Sequence, residues 1–182
     1  GALAREHQLE TSEVINKKLP ILADTAKFIA DPLVRSQATV CGNLAHGDPA
    51  NDHPATMLAL GAKVVATGPN GQREIAIEDF FTSLFTTALE PEEILTEIRI
   101  PLPAPKSGGA YLKLERKVGD FATAGVAVQI TLDDAGKSLD EAWINEAAKI
   151  AASESQPMDD IRGSADYKRD LVRVLTARAL TR

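Results

Sequence analysis

The apolar positions of this chain switch between helical and strand spacing several times, and the switches lay out its elements. In "LPILADTAKFIA", residues 19–30, apolar residues recur at helical spacing, and Asp31-Pro32 closes the run as a helix stop. A second helix is expected to start near Pro49 and to run through "ANDHPATMLALG" to Gly61, with Pro54 in or near its first turn. "AKVVATG", "PNGQ" and "REIAI" then spell strand, turn, strand, because β-branched residues flank an Asn70-Gly71 pair suited to a hairpin. "IEDFFTSLF" predicts a short helical turn, and "EILTEIRI" has the period-two alternation of a half-buried strand. "PLPAPKSGG", residues 101–109, is the most linker-like stretch. After it, "AYLKLER" and "FATAGVAVQITL" read as strands on either side of "KVGD". Two helices close the chain, one near 139–152 and one in "SADYKRDLVRVLTARAL". In the last, Ser164 is the expected N-cap, and Tyr167, Leu171, Val174 and Leu175 share one face. There is no internal repeat and no low-complexity segment. The pattern is α+β, arranged as two layered subdomains, residues 1–102 and 103–182.

Composition narrows the function classes. The 182 residues suffice for one ordinary domain or two small ones, and 44% hydrophobic with 25% charged residues describes a globular chain. A net charge of −6 argues against nucleic acid or an anionic membrane as partner, since both demand a basic face. No apolar run approaches the roughly 20 residues of a membrane span. "GALAREHQLE" lacks the basic-then-apolar order of a signal peptide, and an opening without methionine suggests that residues precede it. A single cysteine excludes an internal disulfide framework, and equally a cysteine-ligated zinc or iron–sulfur centre built by this chain alone. A reducing cytoplasm is the default location.

The chemistry concentrates in "QATVCGNLAHGDPANDHPA", residues 37–55. His46, Asp48, Asp52 and His53 are metal-ligand types, but their spacing fits no zinc template, and Pro49 and Pro54 interrupt a common helical face. Polar residues that cap a turn and the following helix are the more ordinary reading. Cys41 with His46 or His53 could form a nucleophile–base pair; a small cysteine beside a glycine also serves packing. No Gly-x-Gly-x-x-Gly follows a strand, which disfavours a Rossmann fold. The remaining reading is a ligand-cradling loop. Thr39, Cys41, Gly42, Asn43 and Ala45 are short enough for backbone N–H groups to approach a phosphate or an aromatic ring. Asn43 adds a two-way hydrogen-bonding amide, and a helix start near Pro49 would add unpaired N–H groups.

The run "RSQATVCGNLAHGDPANDHPATMLALGAKV" resembles the second flavin motif of the FAD-binding medium subunits of molybdenum hydroxylases, the xanthine dehydrogenase family. That motif is written Thr-Ile-Gly-Gly-Asn, then Ala-x-x-x-Pro-x-x-Asp, then a helix reading "LLAL". The strand "EILTEIRIPLP", the run "YLKLERKVGDFATAGVAV" and the tail "MDDIRGSADYKRDLVRVL" resemble later parts of the same family, in the same order, so the likeness covers most of the chain. The form "RKVGDFATAGVA" is most similar to the carbon monoxide dehydrogenase branch.

The resemblance implies a fold, a cofactor and a site. The fold is the second part of a type-2 PCMH-like FAD-binding subdomain in residues 1–102, followed by a C-terminal α+β flavoprotein subdomain in 103–182. The implied FAD contacts are Thr39, Val40, Cys41, Gly42 and Asn43 in the loop, with Asp48 and Asp52 from the motif that follows. Leu95 would flank the adenine end, Lys113 would lie near the flavin, and Phe121 would cover the isoalloxazine face. Taken as residues alone, Lys113 could be a solvated strand lysine and Phe121 plain core. The implied partners are a large molybdenum–pterin subunit and a small subunit with two [2Fe–2S] clusters, as a cytoplasmic dimer of heterotrimers or one held against the inner face of the membrane. Electrons would pass through FAD to an external acceptor, in a carbon monoxide dehydrogenase or in a relative acting on aldehydes or N-heterocycles. A flavin-free scaffold is the rival outside enzymology. The sequence also departs from the family. Cys41 replaces the usual glycine, so a positive φ there would be costly. The family's Gly-Gly-Ser/Thr pyrophosphate loop is absent, as is a strand and helix expected between Gly136-Lys137 and Ser138-Leu139.

Overall fold

The computed structural model describes residues 1–132 and 139–182; the stretch where a family strand and helix were expected falls on residues outside these. Six helices come first: α1 (Glu6–Thr11), α2 (Glu13–Lys18), α3 (Pro20–Phe28), α4 (Pro32–Arg35), α5 (Val40–His46) and α6 (His53–Ala59). Their boundaries follow from local chemistry. The Ser12 hydroxyl accepts the Ile15 N–H to start α2, and Pro20 sits in the first turn of α3. Asp31 accepts the N–H groups of Leu33 and Val34 and starts α4. The helix read over 19–30 is therefore α3, which buries Ile21, Leu22, Ala23, Thr25 and Ala26.

Two expectations in the next stretch need correction. Residues 40–46 are a helix, not a loop: Thr39 caps it, its hydroxyl accepting the Gly42 N–H, and Gly47 ends it at φ +65°. Cys41 therefore has ordinary helical backbone, and the positive φ feared there does not arise. The following helix starts at His53 rather than near Pro49, because Asp48 and Pro49 form a turn in which the Asp48 Oδ1 accepts the Ala50 N–H. Pro54 does lie in its first turn.

The middle of the chain is an antiparallel sheet in the order β2-β1-β5, made of β1 (Lys63–Gly68), β2 (Gly71–Ala76) and the later β5 (Ile94–Arg99). Gly68 pairs with Gly71 at the hairpin end, as the Asn70-Gly71 turn predicts, and Lys63 pairs with Ala76 at the other. Between the hairpin and β5 come α7 (Ile77–Phe80), β3 (Phe81–Ser83) and β4 (Thr86–Thr87). The C-terminal part opens with a hairpin of β6 (Ser107–Leu114) and β7 (Ala124–Thr131), so the last residues of the expected linker are strand. α8 (Glu141–Glu154), capped by Asp140, and α9 (Ala165–Thr181), capped by Ser164, complete the fold. On α9 the buried residues are Lys168, Leu175, Thr176 and Ala179, whereas Tyr167 is half exposed, which corrects the face read from the sequence.

The main core joins Leu22, Leu44, Met57, Val64, Ile77 and Phe80, each at most 2% exposed, and full burial of such a side chain stabilises by about 1.5–3 kcal/mol. Tyr111 of β6 is buried in that same core, and the edge of its ring meets Phe28 at 5.6 Å between centroids. A smaller cluster of Ala124, Val126 and Leu175 sits between the β6–β7 hairpin and α9. Among the described residues, no helix is long and apolar enough to cross a membrane.

Candidate flavin site

Three segments meet around a cavity of about 170 Å3. The turn after α3 contributes Ile29 and Ala30, with Val34 and Ala38 beyond it. The α5–α6 region contributes Asn43, Asn51 and Asp52, and the β6–β7 connection contributes Gly119, Asp120 and Phe121. The connection is fastened from both sides. Ala122 N–H donates to the Ala50 carbonyl at 3.1 Å, and Gly119, at φ +79°, lies so near Ala30 that a Cβ on it would meet the Ala30 oxygen at 2.6 Å. Only glycine combines that φ with that approach.

Two side-chain acceptors stand at the cavity, on Asn43 and Asp52. Asn43 Oδ1 is buried without a hydrogen-bond partner, an uncommon state for a native amide and one that a ligand donor would relieve. The Asn43 carbonyl, by contrast, already accepts from Asn51 Nδ2 at 2.8 Å. Asp52, 5% exposed, is held by two donors: the Tyr111 hydroxyl at 2.5 Å on Oδ1 and Lys113 Nζ at 3.1 Å on Oδ2. Burial pushes the Asp52 carboxyl above the usual carboxylate range, while the Tyr111 hydrogen bond and the Lys113 ammonium pull it back. Burial and the neighbouring Asp52 together drive the Tyr111 phenol far above the ordinary tyrosine value, so it stays a donor.

The structure brings Asn43, Asp52 and Phe121 together at the cavity and joins Lys113 to Asp52. Phe121 is 43% exposed with the Arg162 guanidinium 6.0 Å from its ring centre. The other expected residues lie elsewhere. Lys113 is no solvated lysine; its side chain is 0% exposed and also reaches the Phe28 carbonyl and Glu115, each at 3.1 Å. The main-chain cradle expected over 39–43 is largely committed: Val40 N–H donates to Ala4, Gly42 N–H to the Thr39 hydroxyl and Asn43 N–H to the Thr39 carbonyl. Val40 and Cys41 are buried core residues, and Leu95 is buried on β5 opposite Ala66. Asp48 is spent on its turn. Tyr111, Asn51 and Gly119 were missed. The first two lie in family-resembling runs that gave them no role, and the glycine of "KVGD" could have been read as a positive-φ turn.

The rival chemistries lose their geometry. Burial raises the Cys41 thiol, and its Sγ lies 3.8 Å from the Gly1 carbonyl rather than against a histidine. His53 is buried against Glu6, 2.6 Å between Nε2 and Oε2, and His46 meets Asn51 and the Phe85 ring. Among the described residues no group of three or more His, Cys, Asp or Glu side chains could hold a metal ion.

Residues 1–103 match the sequence profile of the FAD binding domain in molybdopterin dehydrogenase. The chain belongs to that family. Residues 135–182 match the CO dehydrogenase flavoprotein C-terminal domain. The carbon monoxide dehydrogenase medium chain of Afipia carboxidovorans is 39% identical over all of this chain and 73% of its own length. That of Hydrogenophaga pseudoflava is 40% identical over 99% of this chain and 72% of its own. A crystal structure of Cu,Mo-CO dehydrogenase in its cyanide-inactivated form superposes with a TM-score of 0.96 at 38% identity, covering this whole chain and 73% of that one. The molybdopterin-dehydrogenase FAD-binding family makes this chain a component of an oxidoreductase, with FAD as its cofactor. The cavity fits part of that cofactor. It is smaller than the roughly 300–1,000 Å3 of a pocket that encloses a whole drug-sized ligand, and its acceptors suit N–H or hydroxyl donors.

Proposed function

We propose that this chain is the FAD-carrying electron-transfer subunit of a molybdenum hydroxylase of the carbon monoxide dehydrogenase type. The observation that carries the reading is the unpartnered Asn43 Oδ1 beside Asp52 and Phe121, in a chain of an FAD-binding family. Bound FAD supplies the redox chemistry. The chain's own residues bind and orient it. Asn43 Oδ1 and the Asp52 carboxylate accept hydrogen bonds, and Phe121 covers a ring face and narrows the access of water. Thr39 and Gly42 fix the helix turn that presents Asn43, with Val40 and Cys41 anchoring it in the core. Asp48 holds the turn ahead of Asp52, Lys113 neutralises Asp52, and Leu95 backs the sheet toward the adenine end. No residue here is assigned as general acid or base.

In this reading residues 1–102 carry the flavin contacts of α5 and α6, and residues 103–182 bring Tyr111, Lys113 and Phe121 against them. A large subunit holds the molybdenum–pterin centre and a small one holds the [2Fe–2S] clusters, from which electrons reach FAD and then an external acceptor. The assembly is a cytoplasmic dimer of heterotrimers. The test is the flavin-to-protein ratio of the purified complex, read from absorbance near 450 nm together with metal analysis. The double substitution Asn43→Ala, Asp52→Ala lowers flavin occupancy while the partner subunits keep their metals; unchanged occupancy contradicts the site.

A further inference from the structure

Tyr111 opens the run "YLKLERKVGDFATAGVAV" but is given no role by the resemblance, yet the fold invests heavily in its hydroxyl. The side chain is 1% exposed, and the hydroxyl donates to Asp52 Oδ1 across 59 residues of chain. Tyr111 and Lys113 lie two apart on β6, so the strand's period places both on one face. That face meets the residue that precedes α6, and each oxygen of the Asp52 carboxylate receives a separate donor from it. The partner strand leaves room for this: a Cβ on Gly125 would stand 2.7 Å from the Tyr111 oxygen.

From this geometry we infer that Tyr111 is a positioning residue of the flavin site, which acts through Asp52 to set FAD affinity and the reduction potential of the bound flavin. The inference rests on the reading that the cavity holds FAD. The ion pairs around Asp52 comprise one ammonium, Lys113, and two carboxylates, Asp52 and Glu115, so the cluster leaves excess negative charge beside the cavity as long as both carboxylates are ionised. A phenol that only donates keeps Asp52 an acceptor and fixes its orientation. Without that donor the buried carboxylate takes up a proton more readily. It then presents less negative charge to the ligand, which makes electron uptake by a neighbouring flavin easier and weakens acceptance of the ligand's own donors.

The test is Tyr111→Phe in the purified complex, which removes one oxygen and keeps the ring against Phe28. FAD affinity is measured by fluorescence titration of flavin-depleted complex, and the midpoint potential by spectroelectrochemical titration. FAD Kd is expected to rise about tenfold, the scale of a lost hydrogen bond to a charged group, and the midpoint potential to move positive. Both effects vanish in an Asp52→Asn background, because the hydroxyl acts through that carboxylate. Incorporation of 3-fluorotyrosine at position 111, a stronger donor, moves both quantities the opposite way and serves if the phenylalanine variant fails to fold. Wild-type Kd and potential in Tyr111→Phe, or equal effects with and without Asp52, overturn the inference. If Asp52→Asn itself leaves FAD affinity untouched, the cavity assignment falls as well. If it weakens binding while Tyr111→Phe is silent, only the role of Tyr111 is lost.

Discussion

Replacing Lys113 with methionine is the perturbation whose size the structure fixes best. Methionine keeps an unbranched stem but removes an ammonium that is 0% exposed and lies 3.1 Å from both Asp52 and Glu115, whose side chains are 6% and 18% exposed. A surface pair would be worth little. Here two carboxylates with little access to water lose their shared cation, and breaking a buried pair on one side typically costs about 3–5 kcal/mol. For a chain of this length that corresponds to a fall in Tm of roughly 6–20 °C. The loss also depends on pH, with a definite sign. Asp52 already has a raised folded value, from burial first, and without Lys113 it rises further. A carboxyl raised in the folded state is penalised above its folded pKa and not below its unfolded value near 4. The variant's deficit is therefore larger at pH 8 than at pH 5. Thermal unfolding followed by circular dichroism at the two pH values is the assay. A deficit under about 1 kcal/mol at pH 8, or one that does not shrink on acidification, refutes the buried-pair reasoning.

Other substitutions probe the frame of the site. Gly119→Ala brings a methyl to 2.6 Å from the Ala30 oxygen at a φ that side chains rarely adopt; it should destabilise by about 1–3 kcal/mol and loosen flavin retention, measured by unfolding and by FAD content after dialysis. Cys41→Ala should leave electron transfer through the complex unchanged and reduce stability by about 1 kcal/mol, as for other small core deletions. Loss of turnover in that variant would revive the cysteine as a reactive group. The wild-type thiol should react with a maleimide reagent only on unfolding, since it is buried and its thiolate is disfavoured.

The elements easiest to read in advance had strong periods or strong punctuation. The β1–β2 hairpin was announced by β-branched residues around Asn70-Gly71, and α9 by its serine cap and apolar spacing. The short N-terminal helices α1 and α2 were not read, because residues 6–18 carry few apolar residues and their helices owe their place to contacts with α3. α5 was misread as a loop for a related reason. Its small residues lack helical amphipathicity, and it is defined instead by its ends, the Thr39 cap and the left-handed Gly47. At the site, Asn43, Asp52 and Phe121 could be named in advance because a family motif points to them. Tyr111 stands in the same run as Phe121, but its role comes from a hydrogen bond across 59 residues that no local pattern encodes.

The central claim is that FAD lies against Asn43, Asp52 and Phe121. A cryo-electron microscopy structure of the assembled complex with FAD bound tests it most directly. The account predicts a flavin donor within about 3.2 Å of Asn43 Oδ1, normal hydrogen-bond range, with ring density against Phe121. Flavin density seated elsewhere, with Asn43 Oδ1 still unpartnered, contradicts it.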